Sequence, residues 1–128
     1  MGIDFVVSDL ISASPEKIYH AWLNSKEHEL MTGSPADISD EIDGDFSAWD
    51  GYITGKNLEL TPDSRILQSW RTTEFADSDP DSLLDITIVS EENATRITIH
   101  HSELPEHGMQ YQQGWIEAYF NPMKDYFI

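Results

Sequence analysis

The chain has 128 residues, with 24 Asp and Glu against 7 Lys and Arg, so its formal net charge is −17. That length suits one domain with its own hydrophobic core. So few cations cannot form the basic surface that binds a nucleic acid or an anionic membrane. The absence of Cys excludes disulfides, zinc–thiolate sites and cysteine nucleophiles.

The sequence shows no export or membrane signal. Its first residues carry no basic segment, and no run of about 18 apolar residues occurs. We therefore expect a cytoplasmic protein without a signal peptide or a membrane span. The chain is 39% hydrophobic and 11% aromatic, which predicts a folded rather than a disordered protein.

The first predicted elements are a strand and two short helices. Alternating apolar residues predict a strand over Ile3–Ile11 with one buried face. Ser14 followed by Pro15 is typical of a helix N-terminus, because the serine can cap the helix and proline needs no N–H donor there. Ser25 is predicted to cap a second short helix, which Gly33 ends.

Residues 34–102 have the pattern of an antiparallel meander. Short stretches of alternating apolar residues are separated by turn residues, and we expect about six strands. Asp50-Gly51 is a predicted turn or bulge, and Gly55 is a second candidate irregularity. The acidic residues concentrate in loops, which makes the charge a property of the surface. These loops are 37–45, 77–81 and 91–92.

The last predicted element is a long helix over residues 106–127, where large apolar residues recur at three- and four-residue steps. Pro122 removes the hydrogen bond to the carbonyl of Ala118, which predicts a kink there. Gly114 either lets the helix approach the sheet closely or is merely tolerated. A helix of about 20 residues spans about 30 Å and can cover the concave face of a curved sheet.

Several segments of the chain resemble one known family. They are Ile11–Trp22, Met31–Ala36, Phe46–Gly55, Ile66–Arg71, Gly114-Trp115 and Tyr119–Pro122. They are similar to the AHSA-type proteins, homologues of the C-terminal domain of the heat-shock protein 90 ATPase activator, in the START-like (SRPBCC) superfamily. The resemblance implies a single domain over residues 1–128 with the α+β helix-grip fold. In this fold a curved antiparallel sheet of about six to seven strands wraps around a long C-terminal helix, with two short helices after the first strand.

The superfamily hosts lipid carriers, hormone receptors, polyketide cyclases and co-chaperone domains, so the fold does not choose a function. The sequence has no nucleophile elbow, phosphate-binding loop or dinucleotide motif. We therefore predict a non-catalytic protein without a cofactor, although a cyclase or hydrolase that uses the cavity stays open. The resemblance implies, as the alternative, a co-chaperone-like domain that contacts a chaperone and modulates a heat-shock protein 90 ATPase.

The aromatic residues point to a small-molecule site between the sheet and the last helix. Apolar pockets with a few polar groups are the usual small-ligand sites, and the large rings exceed what a small core usually needs. An aromatic-rich core without a pocket is the alternative. The candidate cavity residues for an apolar ligand are Trp22, Met31, Phe46, Trp49, Tyr52, Trp70, Phe75, Trp115, Tyr119 and Met123.

The polar candidates are fewer. Arg71 and His100 are candidate anchors for a ligand, although Arg71 can instead pair with one of the many acids. His100 and His101 are adjacent on a strand, so their side chains point to opposite faces and cannot share a metal. His107 lies near two glutamates, with a solvated surface as the alternative, and the sequence predicts no metal site. We expect a monomer or a weak dimer, because two bodies of charge −17 repel each other.

Overall fold

Alternating apolar residues form the strands of the computed structural model, which describes residues 2–127. The strands are β1 (Ile3–Ile11), β2 (Asp37–Ile38), β3 (Asp45–Ala48), β4 (Ile53–Thr61), β5 (Arg65–Thr72), β6 (Ser82–Glu91) and β7 (Ala94–Leu104). They form one antiparallel sheet in the order β1-β7-β6-β5-β4-β3-β2. Strands β2 to β7 therefore form the predicted meander, and β1 pairs with β7 at one edge of the sheet.

The two short helices follow β1 as predicted, and their caps follow local chemistry. In α1 (Pro15–Leu23), the Ser14 hydroxyl accepts the backbone N–H of Lys17. In α2 (Ser25–Thr32), however, the cap is Asn24, whose side-chain oxygen accepts a backbone N–H at 3.0 Å. The prediction of Ser25 as the cap is wrong, because its hydroxyl instead accepts the backbone N–H of Ile38 at 2.7 Å and ties β2 to α2.

The inner face of the sheet, which faces the C-terminal helix, has two chemically different ends. At one end Ile66, Ile86 and Ile99 lie opposite one another on β5, β6 and β7. We call the buried isoleucines at this end, together with Ile18 of α1, the isoleucine cluster, and each of these side chains is 0% exposed. Its members are Ile11, Ile18, Ile66, Ile86, Ile97 and Ile99.

The other end of the inner face carries rings and polar groups. Trp70 lies opposite both Gly55 and Ser82, and His101 lies opposite Phe5 and Leu84. We call the rings here and those packed on them the aromatic cluster. Its members are Trp22, His28, Trp70, His101, Tyr111, Trp115 and Tyr119, all of them buried.

A glycine and a strained turn shape β3 and β4 beside the aromatic cluster. A Cβ at Gly55 would lie 2.6 Å from the Phe46 ring, so only glycine lets that ring cross the strand. The β3–β4 turn has positive φ at Trp49 (54°), Asp50 (57°) and Gly51 (86°). The predicted turn is therefore present, and it extends to a bulky residue for which this conformation is unfavourable.

The C-terminal helix covers residues 106–126 and changes geometry along its length. A 3₁₀ turn (Glu106–Met109) leads into α3 (Gln110–Trp115), a π-helical turn (Ile116–Phe120) and α4 (Asn121–Tyr126). The backbone N–H of Asn121 reaches back five residues to the carbonyl of Ile116. The sequence predicts a kink between Ala118 and Pro122, and at this place the structure shows a π-helical turn, which accommodates one extra residue in a helix.

The acidic residues lie on the outside of this fold. Most acids of the three predicted acidic loops are exposed, although Asp37 and Asp45 belong to β2 and β3. The exposed acids include Asp40, Glu41, Asp43, Asp77, Asp81, Glu91 and Glu92. Several acids pair with the few cations, as in the two-pronged contact of Arg65 with Asp85 at 2.9 Å. Within residues 2–127, no helix is long and apolar enough to cross a membrane.

Candidate functional site

A cavity of about 350 Å³ lies between the aromatic end of the sheet and the C-terminal helix. Its wall is almost entirely apolar and combines strand, turn and helix residues. The lining residues are Trp49, Tyr52, Ile53, Trp70, Tyr111, Gly114, Trp115, Ala118 and Tyr119. Folding therefore brings together segments that are up to 70 positions apart in the chain.

Two small residues on the C-terminal helix account for this space. Gly114 and Ala118 both line the cavity, and a Cβ built at Gly114 meets no atom within 4 Å. The expectation that Gly114 lets the helix approach the sheet closely is therefore wrong, since open space lies where contact was expected. A larger residue at this position would extend into the cavity.

A chain of hydrogen bonds fixes Trp115 in the cavity wall. The Ser82 hydroxyl donates to the carbonyl of Trp70 at 2.7 Å, so its oxygen accepts from Nε2–H of His101 at 2.8 Å. The other ring nitrogen, Nδ1, accepts Nε1–H of Trp115 at 3.0 Å. This arrangement requires a neutral His101, and burial, followed by the charge of the neighbouring His100, lowers the pKa of His101 to about 3.

A second buried histidine fixes Tyr119. The carbonyl of Trp22 can only accept, so Nδ1 of His28 carries the proton in their 2.9 Å contact. Nε2 then accepts the hydroxyl of Tyr119 at 2.8 Å. Burial lowers the pKa of His28, partly opposed by its bond to the Trp22 carbonyl, and burial raises the pKa of the Tyr119 hydroxyl.

The other two tyrosines of the wall are also engaged. Tyr111 shares a 2.7 Å hydrogen bond with Thr72, and the Tyr52 hydroxyl donates to Glu74. Among the described residues, no buried side-chain nitrogen or oxygen lacks a partner. The ring hydroxyls of the wall are thus satisfied by the protein itself.

The structure divides the ten predicted cavity residues into two groups. Five line the cavity: Trp49, Tyr52, Trp70, Trp115 and Tyr119. The other five are buried without lining it: Trp22, Met31, Phe46, Phe75 and Met123. Some of these support the wall from behind, as Trp22 does by stacking on Tyr119 with 4.9 Å between ring centroids.

Neither predicted polar anchor lies at the cavity. Arg71 donates to the Asp81 carboxylate at 2.8 Å and to the backbone carbonyls of Ala76 and Asp79, so it holds the β5–β6 loop. Its alternative interpretation, pairing with an acid, is the one that the structure shows. His100 is exposed on the outer face of the sheet, 3.3 Å from Asp4.

Sequence reasoning missed three residues that matter at this site. Tyr111 precedes Trp115 by four positions and so shares its helix face, a spacing that could have identified it. His101 continues the inward alternation of Ile97 and Ile99, which also predicts burial. His28 had no comparable signal, because its partner Tyr119 is 91 positions away.

The histidines do not form a metal site. No group of three or more His, Asp or Glu side chains within residues 2–127 is arranged to hold a metal ion. His107 instead packs edge-on against Phe75 and lies 3.3 Å from the Tyr111 hydroxyl.

Comparisons with known proteins place this geometry in a family. The family model described as Activator of Hsp90 ATPase homolog 1-like protein matches residues 12–127. The human protein named activator of 90 kDa heat shock protein ATPase homolog 1 is 24% identical over 115 residues, which cover 89% of this chain and 34% of that protein. The chain therefore spans about a third of this relative's length.

Solved structures support the fold. An HSP90 activator from Plasmodium falciparum has a TM-score of 0.86 and 21% identity, covering 95% of this chain and 94% of that chain. The solution structure of the Aha1 dimer from Colwellia psychrerythraea has a TM-score of 0.76 and 18% identity, covering 98% and 96%. With the family model matching most of its length, the chain belongs to the Activator of Hsp90 ATPase homolog 1-like proteins.

Proposed function

We propose that this protein is a non-catalytic binding domain that holds a small apolar or amphipathic molecule in the cavity between sheet and C-terminal helix. The observation that carries the proposal is the cavity itself, about 350 Å³ in volume with an almost wholly apolar wall. Small-molecule sites of proteins have this size range and this character.

The residues of the wall favour binding over chemistry. Among residues 2–127, no carboxylate, lysine or arginine lines the cavity, and the tyrosine hydroxyls of its wall are held by Thr72, Glu74 and His28. A general acid or base must reach the substrate proton within hydrogen-bond distance. Burial raises the pKa values of the Tyr52 and Tyr119 hydroxyls further above neutrality, which does not suit them to that task.

Titration with an apolar fluorescent probe tests this proposal. N-phenyl-1-naphthylamine is expected to bind one molecule per chain with enhanced fluorescence. Gly114→Leu should weaken binding by at least about tenfold, because the new side chain enters the cavity. Gln113→Leu, an exposed change at the neighbouring position, is the matched control and should leave the affinity unchanged.

Truncation of the wall gives a second measurement. Trp70→Ala and Tyr119→Ala remove a ring from the cavity and should also weaken probe binding. Circular dichroism must first show that each variant is folded, because both rings are buried. Equal affinities in the parent, the filled variant and the truncated variants would contradict the proposal.

A second candidate function is that of a co-chaperone-like domain that modulates an Hsp90 ATPase. The family match and the name of the human relative support it. The domain would then act as a protein-interaction module, either as a monomer or as a weak dimer. The Colwellia protein is a dimer in its solved structure.

Steady-state ATP turnover by the Hsp90 of the source organism tests the second candidate. Addition of the purified protein should change the turnover in a saturable way. Gly114→Leu should retain the effect if the chaperone contacts the surface, and lose it if a cavity ligand is required. Unchanged turnover at saturating protein would eliminate this candidate.

A further inference from the structure

We infer that the cavity selects an uncharged, flat aromatic molecule of about two to three rings. The inference rests on the proposed function and names the ligand class of the same site. Its size follows from the volume: a protein cavity of about 150 Å³ accommodates one benzene, and this cavity measures about 350 Å³.

The absence of charge on the ligand follows from the wall. No ionised side chain lines the cavity in the part of the chain that the structure describes, and the hydroxyls of the tyrosines in its wall already have protein partners. A ligand carboxylate or ammonium would lose its hydration there without gaining an ion pair, at a cost that apolar contact does not offset. The protein's charge of −17 further repels anions from the entrance.

The preference for flat rings follows from the arrangement of the wall. Trp70 and Trp115 lie 5.7 Å apart at 45°, and Trp115 and Tyr119 lie 4.9 Å apart at 47°. Both centroid distances lie within the range of about 4.5–7 Å in which aromatic pairs attract each other. The Gly114 side of the helix leaves open space beside them. A flat ring system can therefore continue the same packing, whereas a flexible alkyl chain would lose rotational freedom on entering.

The buried histidines keep that wall rigid. His101 fixes the indole of Trp115, and His28 fixes the hydroxyl of Tyr119, four positions further along the same helix. A wall whose rings are hydrogen-bonded in place cannot close around a thin chain as freely as an aliphatic wall could. Preorganisation of this kind favours ligands that match the existing space.

A matched set of naphthalenes tests the inference by displacement of N-phenyl-1-naphthylamine from the full chain. The competitors share one ring system and differ in charge: 1-methylnaphthalene, 1-naphthoate and 1-naphthylmethylammonium. We expect the uncharged compound to displace the probe at concentrations at least about tenfold below those of either ion. Displacement by either ion at the same concentration as 1-methylnaphthalene would overturn the selection against charge.

High salt distinguishes two causes of the selection against anions, the apolar wall of the cavity and the net charge of the protein. The preference over 1-naphthoate should persist at about 1 M salt, where repulsion by the surface acids is screened within about 3 Å. Loss of the preference at high salt would assign it to the net charge instead and overturn the argument from the wall.

Undecane tests the requirement for rings, because it is an uncharged alkane with as many carbon atoms as 1-methylnaphthalene. It should need at least about tenfold more than 1-methylnaphthalene to displace the probe, and equal potency would overturn the aromatic preference alone. Failure of every probe to bind the parent protein would instead overturn the proposed function. The Gly114→Leu and Gln113→Leu pair assigns any binding observed to the cavity.

Discussion

The isoleucine cluster and the aromatic cluster occupy two ends of one sheet face, and among residues 2–127 the cavity is lined by members of the aromatic cluster and by none of the isoleucine cluster. The isoleucine side chains are fully buried, and three of them, Ile66, Ile86 and Ile99, lie opposite one another across strands. The aromatic side chains are also buried, but they border a cavity of about 350 Å³. The aromatic end leaves space because Gly114 and Ala118 place almost no side-chain volume on that side of the C-terminal helix.

The difference is reinforced by hydrogen bonds. The rings of Trp115 and Tyr119 are each tied to a buried histidine, so they cannot rotate to fill the space without leaving a polar group unpaired. The isoleucine cluster has no such polar ties. At the aromatic end, hydrogen bonds to two buried histidines hold the neighbouring rings in one arrangement. At the filled end, close packing of the isoleucine side chains has the same effect.

The largest expected effect is a cavity made at the filled end. Ile86→Ala should lower the free energy of unfolding by about 3 to 4 kcal/mol, because it removes buried methyl groups and leaves a void. Chemical denaturation measures the change. Val89→Ala, at an exposed position of the same strand, is the control and should change the value by less than about 0.5 kcal/mol. A small effect of Ile86→Ala would mean that this end is not tightly packed.

Acid should destabilise the aromatic end next most strongly. The folded protein keeps His101 neutral with a pKa of about 3, whereas the unfolded chain protonates this residue near its ordinary value. The unfolded state therefore binds more protons, and stability falls as the pH decreases from about 6.5 toward about 3. Between about pH 6 and pH 4, His101 should cost about 2 to 3 kcal/mol, and His28 acts in the same direction.

Chemical denaturation of variants at about pH 6 and pH 4 shows whether His101 causes this loss of stability. His101→Leu should reduce the difference in unfolding free energy between the two pH values by about the amount assigned to His101. His20→Ala is the control, because His20 lies on the surface with its side chain 65% exposed. An identical pH dependence in the parent and in His101→Leu would contradict the role of the buried imidazole.

A single hydrogen bond gives a smaller effect. Tyr119→Phe keeps the ring in the wall and removes the hydroxyl that donates to His28, which should lower stability by about 1 kcal/mol. Tyr126→Phe, which removes a part-buried hydroxyl bonded to Glu27, is a matched comparison with a smaller expected loss. Equal losses in the two variants would remove the distinction between the buried pair and the surface pair.

The smallest expected change is a gain. Gly114→Ala should raise the free energy of unfolding by up to about 1 kcal/mol, because alanine favours the helix and its methyl group meets no atom. Thermal unfolding of the parent and the variant measures this. A decrease in stability would show that the space beside Gly114 is closed in solution, and the contrast between the two clusters would disappear.

Local chemistry predicted much of the fold and little of the site. Ser14 and Gly33 marked helix ends because their roles depend on adjacent backbone groups. The adjacency of His100 and His101 predicted side chains on opposite faces, but the predicted anchor His100 lies outside and His101 lies inside. Asn24 and Ser25, in contrast, are equally good N-caps in sequence. The structure uses Asn24, because the Ser25 hydroxyl accepts the backbone N–H of Ile38 in β2.

By itself, the sequence predicted the buried apolar faces of most strands and helices, because their periods follow from apolar spacing, but it did not predict the burial of His28. The family resemblance proposed from its segments is also confirmed by the family match. Only the tertiary structure decided which of the buried rings line a cavity, that Gly114 faces open space, and that Arg71 holds a loop instead of a ligand. The reason is physical. The pattern along one strand or helix indicates which of its faces is apolar, whereas a cavity depends on the distance between elements that are remote in the chain.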